Sequence, residues 1–396
     1  MDLRTSFLNI HFENPFVLAS APPTADGERI RRAFEAGWAG AVMKTIISEP
    51  VRQPKNRFAV SHAGGSITGF ENLELLSELT PEEWYRTMAS LKADFPEKIV
   101  IGSIMADARS GEKWVALARG CQEAGADMVE LNFSCPHGYP EKGNGAAIGQ
   151  NAEYAEAITG WIKNCKDIRI PVIPKLTAAV ADIRHIGEAV ARAGADGLCA
   201  INTLPSFFGF DLKSLRPKPD ICGLTAYGGY SGPGIKPLAL RAVMSLCQSP
   251  GLPVMASGGI ASGFDAAEFM LSGAPVVQVG TEVMLRGYGI IRQMRDELCE
   301  FMEWHHFAQT SDFIGRCKNS VVAFSGLDTE ADYQAVLRAE SCTKCGACVT
   351  ACRDGGYGAI ALSGDDLPVM DPSKCGGCSL CSHVCPSGAI HMESRK

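Results

Sequence analysis

Eight short apolar runs punctuate the first 281 residues: Pro15–Ser20, Gly40–Thr45, Ile99–Met105, Asp127–Asn132, Pro171–Leu176, Asp196–Asn202, Pro253–Ser257 and Val276–Gly280. Each is continuous rather than alternating, the pattern of a strand covered on both faces. Between most of them the spacing turns helical, as in Asp182–Ala193 and Phe264–Leu271. Four helix-to-strand joints repeat one signature: Ala36-Gly37-Trp38-Ala39, Ala124-Gly125-Ala126-Asp127, Ala193-Gly194-Ala195-Asp196 and Ser272-Gly273-Ala274-Pro275. A glycine that closes a helix in the left-handed region and leads straight into a strand builds a tight αβ loop. Eight such units predict an α/β fold of the TIM (β/α)8 barrel type. A doubly wound open sheet is the alternative, because strand closure is not written in local pattern.

A barrel brings the C-terminal ends of its strands to one mouth, where active sites sit. Here those ends carry Ser20, Lys44 with Thr45, Asn132 through Cys135, Lys175, Asn202 with Thr203, Ser257-Gly258-Gly259 and Gly280-Thr281. Mere solvation does not call for a polar or glycine residue at every one of them. The glycines after the seventh and eighth runs suit a phosphate held by backbone N–H groups. With two lysines at strand ends, that phosphate site predicts FMN, whose reduced ring a lysine stabilises. Gly143-Asn144-Gly145-Ala146-Ala147-Ile148-Gly149 nearly spells a dinucleotide fingerprint, but its spacing is wrong and no strand precedes it. No nicotinamide site is expected.

The fourth run opens into Asn132-Phe133-Ser134-Cys135-Pro136-His137-Gly138, which gathers an amide, a hydroxyl, a thiol and an imidazole where a strand becomes a loop. A buried structural cysteine is the bland reading. Beside a flavin, Cys135 as a protonated thiol would be the acid that completes a reduction.

Of 16 cysteines, half fall between Cys342 and Cys385. Cys342-x2-Cys345-x2-Cys348-x3-Cys352 is followed by Cys375-x2-Cys378-x2-Cys381-x3-Cys385-Pro386, the bacterial ferredoxin run present twice. Two [4Fe–4S] clusters are expected, the fourth cysteine of each run serving the other cluster. One set is therefore Cys342, Cys345, Cys348 and Cys385, and the other Cys375, Cys378, Cys381 and Cys352. The loop Asp354-Gly355-Gly356 is expected to offer amides to cluster sulfur. Residues 282–340 read as the last barrel helix and a connector, with Trp304-His305-His306 on a helix surface. The expected domains are an FMN barrel at 1–310, a connector at 311–335 and a two-cluster unit at 336–396. A net charge of −7 gives no basic footprint for nucleic acid. The N-terminal residues lack the apolar core of a secretory signal, and no run reaches the ~18 apolar residues of a membrane span. A soluble, cytoplasmic protein is expected.

Taken with Lys175-Leu176-Thr177, Ala200-Ile201-Asn202-Thr203, Tyr230-Ser231-Gly232, Lys236-Pro237-Leu238-Ala239-Leu240-Arg241 and Gly258-Gly259-Ile260, the Cys135 loop resembles the dihydropyrimidine dehydrogenase family. The likeness is to its bacterial catalytic subunit, which carries barrel and ferredoxin without FAD or NADPH domains. The resemblance implies reduction of uracil or thymine to the 5,6-dihydropyrimidine, with hydride reaching C6 from the flavin and Cys135 protonating C5. It implies Asn72, Asn132, Ser134, Asn202 and Thr203 at the pyrimidine, with Ser134 supporting the loop and His137 beside it. Ser20, Lys44, Thr45, Lys175, Gly232, Ser257, Gly258, Gly259, Gly280 and Thr281 would surround FMN. A separate FAD- and NAD(P)H-binding subunit would supply electrons, within an oligomer. Leu204 to Gly229, with Phe207-Phe208, Pro217 and Pro219, is the stretch not matched to the family, so the resemblance speaks to reaction type more than to substrate. A dihydroorotate dehydrogenase or another flavin ene-reductase is the nearer alternative, and a non-catalytic redox relay the more distant one.

Overall fold

The computed structural model describes residues 1–136, 138–139 and 142–395. The chain divides into two compact units, Met1–Ser320 and Val321–Lys396.

In the first unit, eight parallel strands close into a barrel: β1 (Phe16–Leu18), β2 (Gly40–Val42), β3 (Ile99–Ile104), β4 (Met128–Asn132), β5 (Val172–Leu176), β6 (Leu198–Ala200), β7 (Val254–Ser257) and β8 (Val276–Val279). Each pairs with its sequence neighbours, and β8 pairs with β1 through Gln278↔Val17. The closed sheet excludes the doubly wound alternative. Most strands are shorter than the apolar runs predict, because the polar residues ending each run leave the ladder for the mouth.

Helices α1 (Gly27–Ala36), α2 (Pro81–Asp94), α3 (Gly111–Glu123), α4 (Ala152–Lys163), α5 (Ile183–Arg192), α6 (Lys236–Gln248), α7 (Gly263–Ser272) and α8 (Ile290–Trp304) follow the strands in turn. Their starts are chemically marked: Asp26, Thr80, Asn151, Asp182 and Ser262 each accept a backbone N–H of the first turn. The joint glycines do adopt the left-handed region, Gly37 at φ 111° and Gly273 at φ 116°.

Inside the barrel the two-residue period sorts the side chains by height. Val17, Val42, Ile101, Met128, Ile173 and Met255 form an apolar layer with Phe7 and Phe12 of the hairpin Thr5–Phe7/Ile10–Phe12. Two residues further along their strands come Ser103, Glu130, Lys175 and Ser257, all buried and polar. The barrel thus has a greasy floor and a polar upper interior.

Over the mouth lies an antiparallel sheet of four strands, Phe58–Ala63, Ser66–Asn72, Gly228–Ser231 and Leu204–Ser206. Leu204–Gly229 therefore begins and ends in this sheet. Between those ends it carries a ribbon, Phe210–Asp211 with Arg216–Pro217, and exposed apolar residues including Leu212, Leu215 and Tyr227. Residues 311–320, expected in a connector, pack on the barrel: Phe313 is buried, and Gly315 and Cys317 donate backbone bonds to Met270 and Leu271. His305 and His306 lie just past α8 rather than on its surface, and His305 stacks on Phe307.

In the second unit, Tyr333–Leu337 pairs with Ile390–Ser394, and Ile360–Leu362 with Pro368–Met370. Two short helices, Ala347–Gly355 and Leu380–His383, complete it. Its apolar core is small, and three of its buried members are Cys348, Cys352 and Cys381. A unit of this size leans on inorganic staples for stability.

Candidate active site

The barrel mouth encloses a cleft of about 1020 Å³, counted to its open rim. Ser20, Lys44, Thr45, Lys175, Ser257, Gly258, Gly259, Gly280 and Thr281 line it from the strand ends, Asn72 from the overlying sheet and Gly232 from just past that sheet's Gly228–Ser231 strand. Asn132, Cys135, Asn202 and Thr203 line it as well. Ser134 does not. It is fully buried behind the wall, where its N–H and Oγ donate to Asn132 Oδ1 (3.1 and 3.3 Å) and its Oγ accepts from Asn202 Nδ2 (3.0 Å). Its position supports the two amides instead of touching a ligand. His137 lies outside the described residues.

Hydrogen bonds fix the orientation of each amide. Asn132 Nδ2 donates to Thr45 Oγ1 (3.0 Å), which also meets Ser103 and Ser20. Asn72 Nδ2 donates to the Gly229 carbonyl (3.0 Å), across the pair Gly229↔Asn72 of the covering sheet. Asn202 Oδ1 accepts the Thr203 N–H (2.8 Å). An amide offers a donor and an acceptor together, which suits an imide edge.

Cys135 is buried to all but 4% and sits one loop beyond β4. Phe133 anchors that loop edge-on against Trp114 at 5.6 Å. The Gly143–Gly149 segment supports it from below: Ala146 N–H donates to the Cys135 carbonyl (2.9 Å), and a Cβ on Gly145 would stand 2.7 Å from that oxygen. These glycines serve close packing of two loops.

Both lysines are buried, with different partners. Lys44 Nζ lies 3.2 Å from Glu74 Oε1, and Arg57 holds the other carboxylate oxygen. Burial pushes the Lys44 pKa down against the pull of Glu74. Lys175 Nζ lies 2.7 Å from Gln278 Oε1 and 3.6 Å from Glu130 Oε2. Burial disfavours its charge, but the Glu130 carboxylate outweighs that and holds the Lys175 pKa above the usual lysine value. Sequence reasoning missed Glu74, Glu130 and Gln278. The last two were read as parts of apolar strands, although a carboxylate in the middle of a strand buried on both faces is itself a signal.

The cleft fits FMN by the chemistry of its walls. Backbone at Gly258-Gly259 and Gly280, the buried ammonium groups of Lys44 and Lys175, and apolar and amide groups line the same cleft. The missing Cβ atoms at Gly258 and Gly259 face α6, where they would meet Ala239 at 2.7 Å and Lys236 N at 2.6 Å. Glycine there is required by helix packing and by φ of 123° and 76°, not by open approach of a ligand.

In the second unit no three His, Cys, Asp or Glu side chains among the described residues converge to hold a single metal ion. Two voids instead are each ringed by four cysteines. Cys342, Cys345, Cys348 and Cys385 surround one of about 280 Å³, and Cys352, Cys375, Cys378 and Cys381 one of about 370 Å³. A cuboidal cluster carries thiolates at separate corners, further apart than the ligands of one ion, so this donor set fits clusters. Amides do approach sulfur, but from Ala359 to Cys352, Ala389 to Cys385 (3.3 Å each) and Lys344 to Cys342 (3.4 Å). Asp354 and Gly355 instead end a helix.

The family profile described as dihydroorotate dehydrogenase matches residues 2–302, and that of the 4Fe-4S dicluster domain residues 335–392. The NAD-dependent dihydropyrimidine dehydrogenase subunit PreA of Escherichia coli K12 is 36% identical over 402 residues, covering 100% of this chain and 96% of its own length. The chain belongs to the dihydropyrimidine dehydrogenase family. It is an oxidoreductase of that type, with FMN in its barrel and two [4Fe–4S] clusters in its C-terminal unit. The chloroplastic dihydropyrimidine dehydrogenase (NADP(+)) of Arabidopsis thaliana is 35% identical, covering 79% of this chain and 76% of its own. The dihydroorotate dehydrogenase B catalytic subunit of Pyrococcus abyssi is 38% identical, covering 79% of this chain and 98% of its own. No helix described here is long and apolar enough to cross a membrane.

Proposed function

We propose that this chain reduces uracil or thymine to the 5,6-dihydropyrimidine, with Cys135 as the proton donor. The observation that carries this reading is the convergence of Asn72, Asn132, Asn202 and Cys135 on one cleft. The amides, oriented by Thr45, Ser134 and Gly229, would grip the imide edge of the ring. The loops at Gly258-Gly259 and Gly280, with Lys175, would hold FMN, which would supply the hydride when bound. Cys135, at the wall of the same cleft, gives its thiol proton to C5 as C6 is reduced. The thiolate left behind must regain a proton before the next turnover.

The eight cysteines Cys342, Cys345, Cys348, Cys385, Cys352, Cys375, Cys378 and Cys381 would hold the two clusters in the crossed arrangement their grouping supports. Clusters carry single electrons, and no nicotinamide fingerprint occurs in the sequence. We therefore assign the NAD(P)H chemistry to a separate FAD-binding subunit, in line with the word subunit in the name of the E. coli relative.

The match of residues 2–302 to the dihydroorotate dehydrogenase profile keeps a second reading, a 6-carboxylated ring as substrate. One experiment tests both. Chemically reduced holoenzyme, mixed anaerobically with uracil, thymine or orotate, should be reoxidised by the first two with dihydropyrimidine as product. Reoxidation by orotate alone would reverse the assignment.

A further inference from the structure

The two cysteine runs are built alike until their fourth cysteine. Ala389 stands four positions beyond Cys385 and Ala359 seven beyond Cys352. Each alanine nevertheless donates its N–H to that cysteine's sulfur at 3.3 Å, and each is followed by a buried isoleucine. The first run therefore carries three extra residues inside equivalent structure. They close into a loop, Gly358 N–H returning to the Cys352 carbonyl (2.9 Å), and that loop carries Tyr357. Tyr357 lines the void ringed by Cys352, Cys375, Cys378 and Cys381 while remaining more than half exposed. Its ring lies on Gly376, where an added Cβ would stand 2.4 Å from Cζ and 2.5 Å from Cε2. Gly376 does not occupy the left-handed region, and the first run has Thr343 at the same place. The missing side chain is room for the ring. Among the described residues, no aromatic side chain lines the other void.

We infer that Tyr357 is a redox-tuning residue: it keeps water from the cluster of Cys352, Cys375, Cys378 and Cys381 and lowers the potential of that cluster alone. The inference rests on the cysteine grouping proposed above. Reducing either cluster brings in one electron from the donor subunit and adds one negative charge to iron, sulfide and thiolates. Water stabilises that added charge, and an aromatic ring in its place does so less. Covering a cluster therefore disfavours its reduction. The amide bonds to Cys352 and Cys385 are equal in length, so they give no such difference.

The test is potentiometric titration of anaerobically purified holoenzyme, each cluster followed by its paramagnetic resonance. In Tyr357→Ala the reduced-to-oxidised ratio of one cluster at a fixed ambient potential should rise roughly 10-fold, ~59 mV for one electron, with the other cluster unmoved. Tyr357→Phe keeps the ring and should titrate as wild type. Placed in Cys342→Ala, which retains the covered cluster alone, Tyr357→Ala should give the same shift. Two unmoved clusters, equal movement of both, or a Phe variant that shifts like Ala overturns the inference. If Cys342→Ala removes the very signal that Tyr357→Ala moves, the cysteine grouping fails while the shielding holds. Should Tyr357→Ala bind fewer than about eight irons, Tyr357→Val is titrated in its place, a shift of the same sign supporting the inference and no shift overturning it.

Discussion

Lys175 reaches across the barrel from β5 to Gln278 on β8, Nζ to Oε1 2.7 Å, and Gln278 in turn donates to Glu130 Oε2 on β4 at 2.9 Å. Three strands are therefore cross-tied through polar side chains above an apolar floor. Removing one member strands the others in a dry interior. Lys175→Met should lower unfolding free energy by about 3–5 kcal/mol, the usual cost of breaking a buried pair. It should also make the bound flavin harder to reduce, and Glu130→Gln easier, by tens of mV each. At two electrons, ~30 mV corresponds to about 1.4 kcal/mol. Anaerobic potentiometric titration of the three proteins checks the opposite signs.

Cys135→Ala should retain flavin and its reducibility while uracil-dependent turnover falls by ~10²–10⁴, the contribution of a positioned acid. Cys135→Ser keeps a proton on a weaker acid and should fall between the two. If the residue only packs, both variants lose flavin or stability together and turnover per flavin stays normal.

Ser134→Ala probes the support behind the amides. With its hydroxyl gone, Asn132 and Asn202 each lose a partner worth about 1 kcal/mol. The concentration of pyrimidine giving half-maximal rate should rise by roughly 5- to 10-fold, with Cys135 chemistry less affected. An unchanged value would show that the amides hold their orientation without it.

The crossed grouping of cysteines has its own signature. Cys342→Ala and Cys385→Ala should lose the same cluster, and Cys352→Ala the other, each losing about four of eight irons while flavin is retained. Paramagnetic resonance of the reduced variants distinguishes the survivors. Loss of one cluster by Cys342→Ala and Cys352→Ala alike, with Cys385→Ala removing the other, contradicts the crossed assignment.

The barrel is legible because its strands are covered on both faces, so Ile99–Ile104 or Val254–Ser257 read as apolar runs without help from context. The mouth is legible for the opposite reason, polar residues such as Asn202 and Lys175 standing where apolar runs stop. Glu130 and Gln278 escaped because they sit within those runs, and only the barrel's curvature brings them to one point. The covering sheet escaped too. Its pairs, such as Gly229↔Asn72, join residues far apart in sequence, and its strands are half-exposed and rich in glycine, with no local period to betray them. The glycines at 258 and 259 suggested ligand approach, whereas their positive φ and the nearness of α6 account for them.

Ser206 and Gly228 stand opposite each other as a register pair of antiparallel strands. The twenty-odd residues between them leave and re-enter the covering sheet at one spot, so their length is nearly unconstrained by the barrel below. Glu71, fully buried, clasps the departing strand through Ser206 Oγ (2.8 Å) and the Phe208 N–H (3.1 Å). The arm is in effect a socketed insert. Shortening or exchanging it should leave the amides, the thiol and the lysines beneath in place, at the cost of the hydrogen bond Asn56 donates to the Asp220 carbonyl.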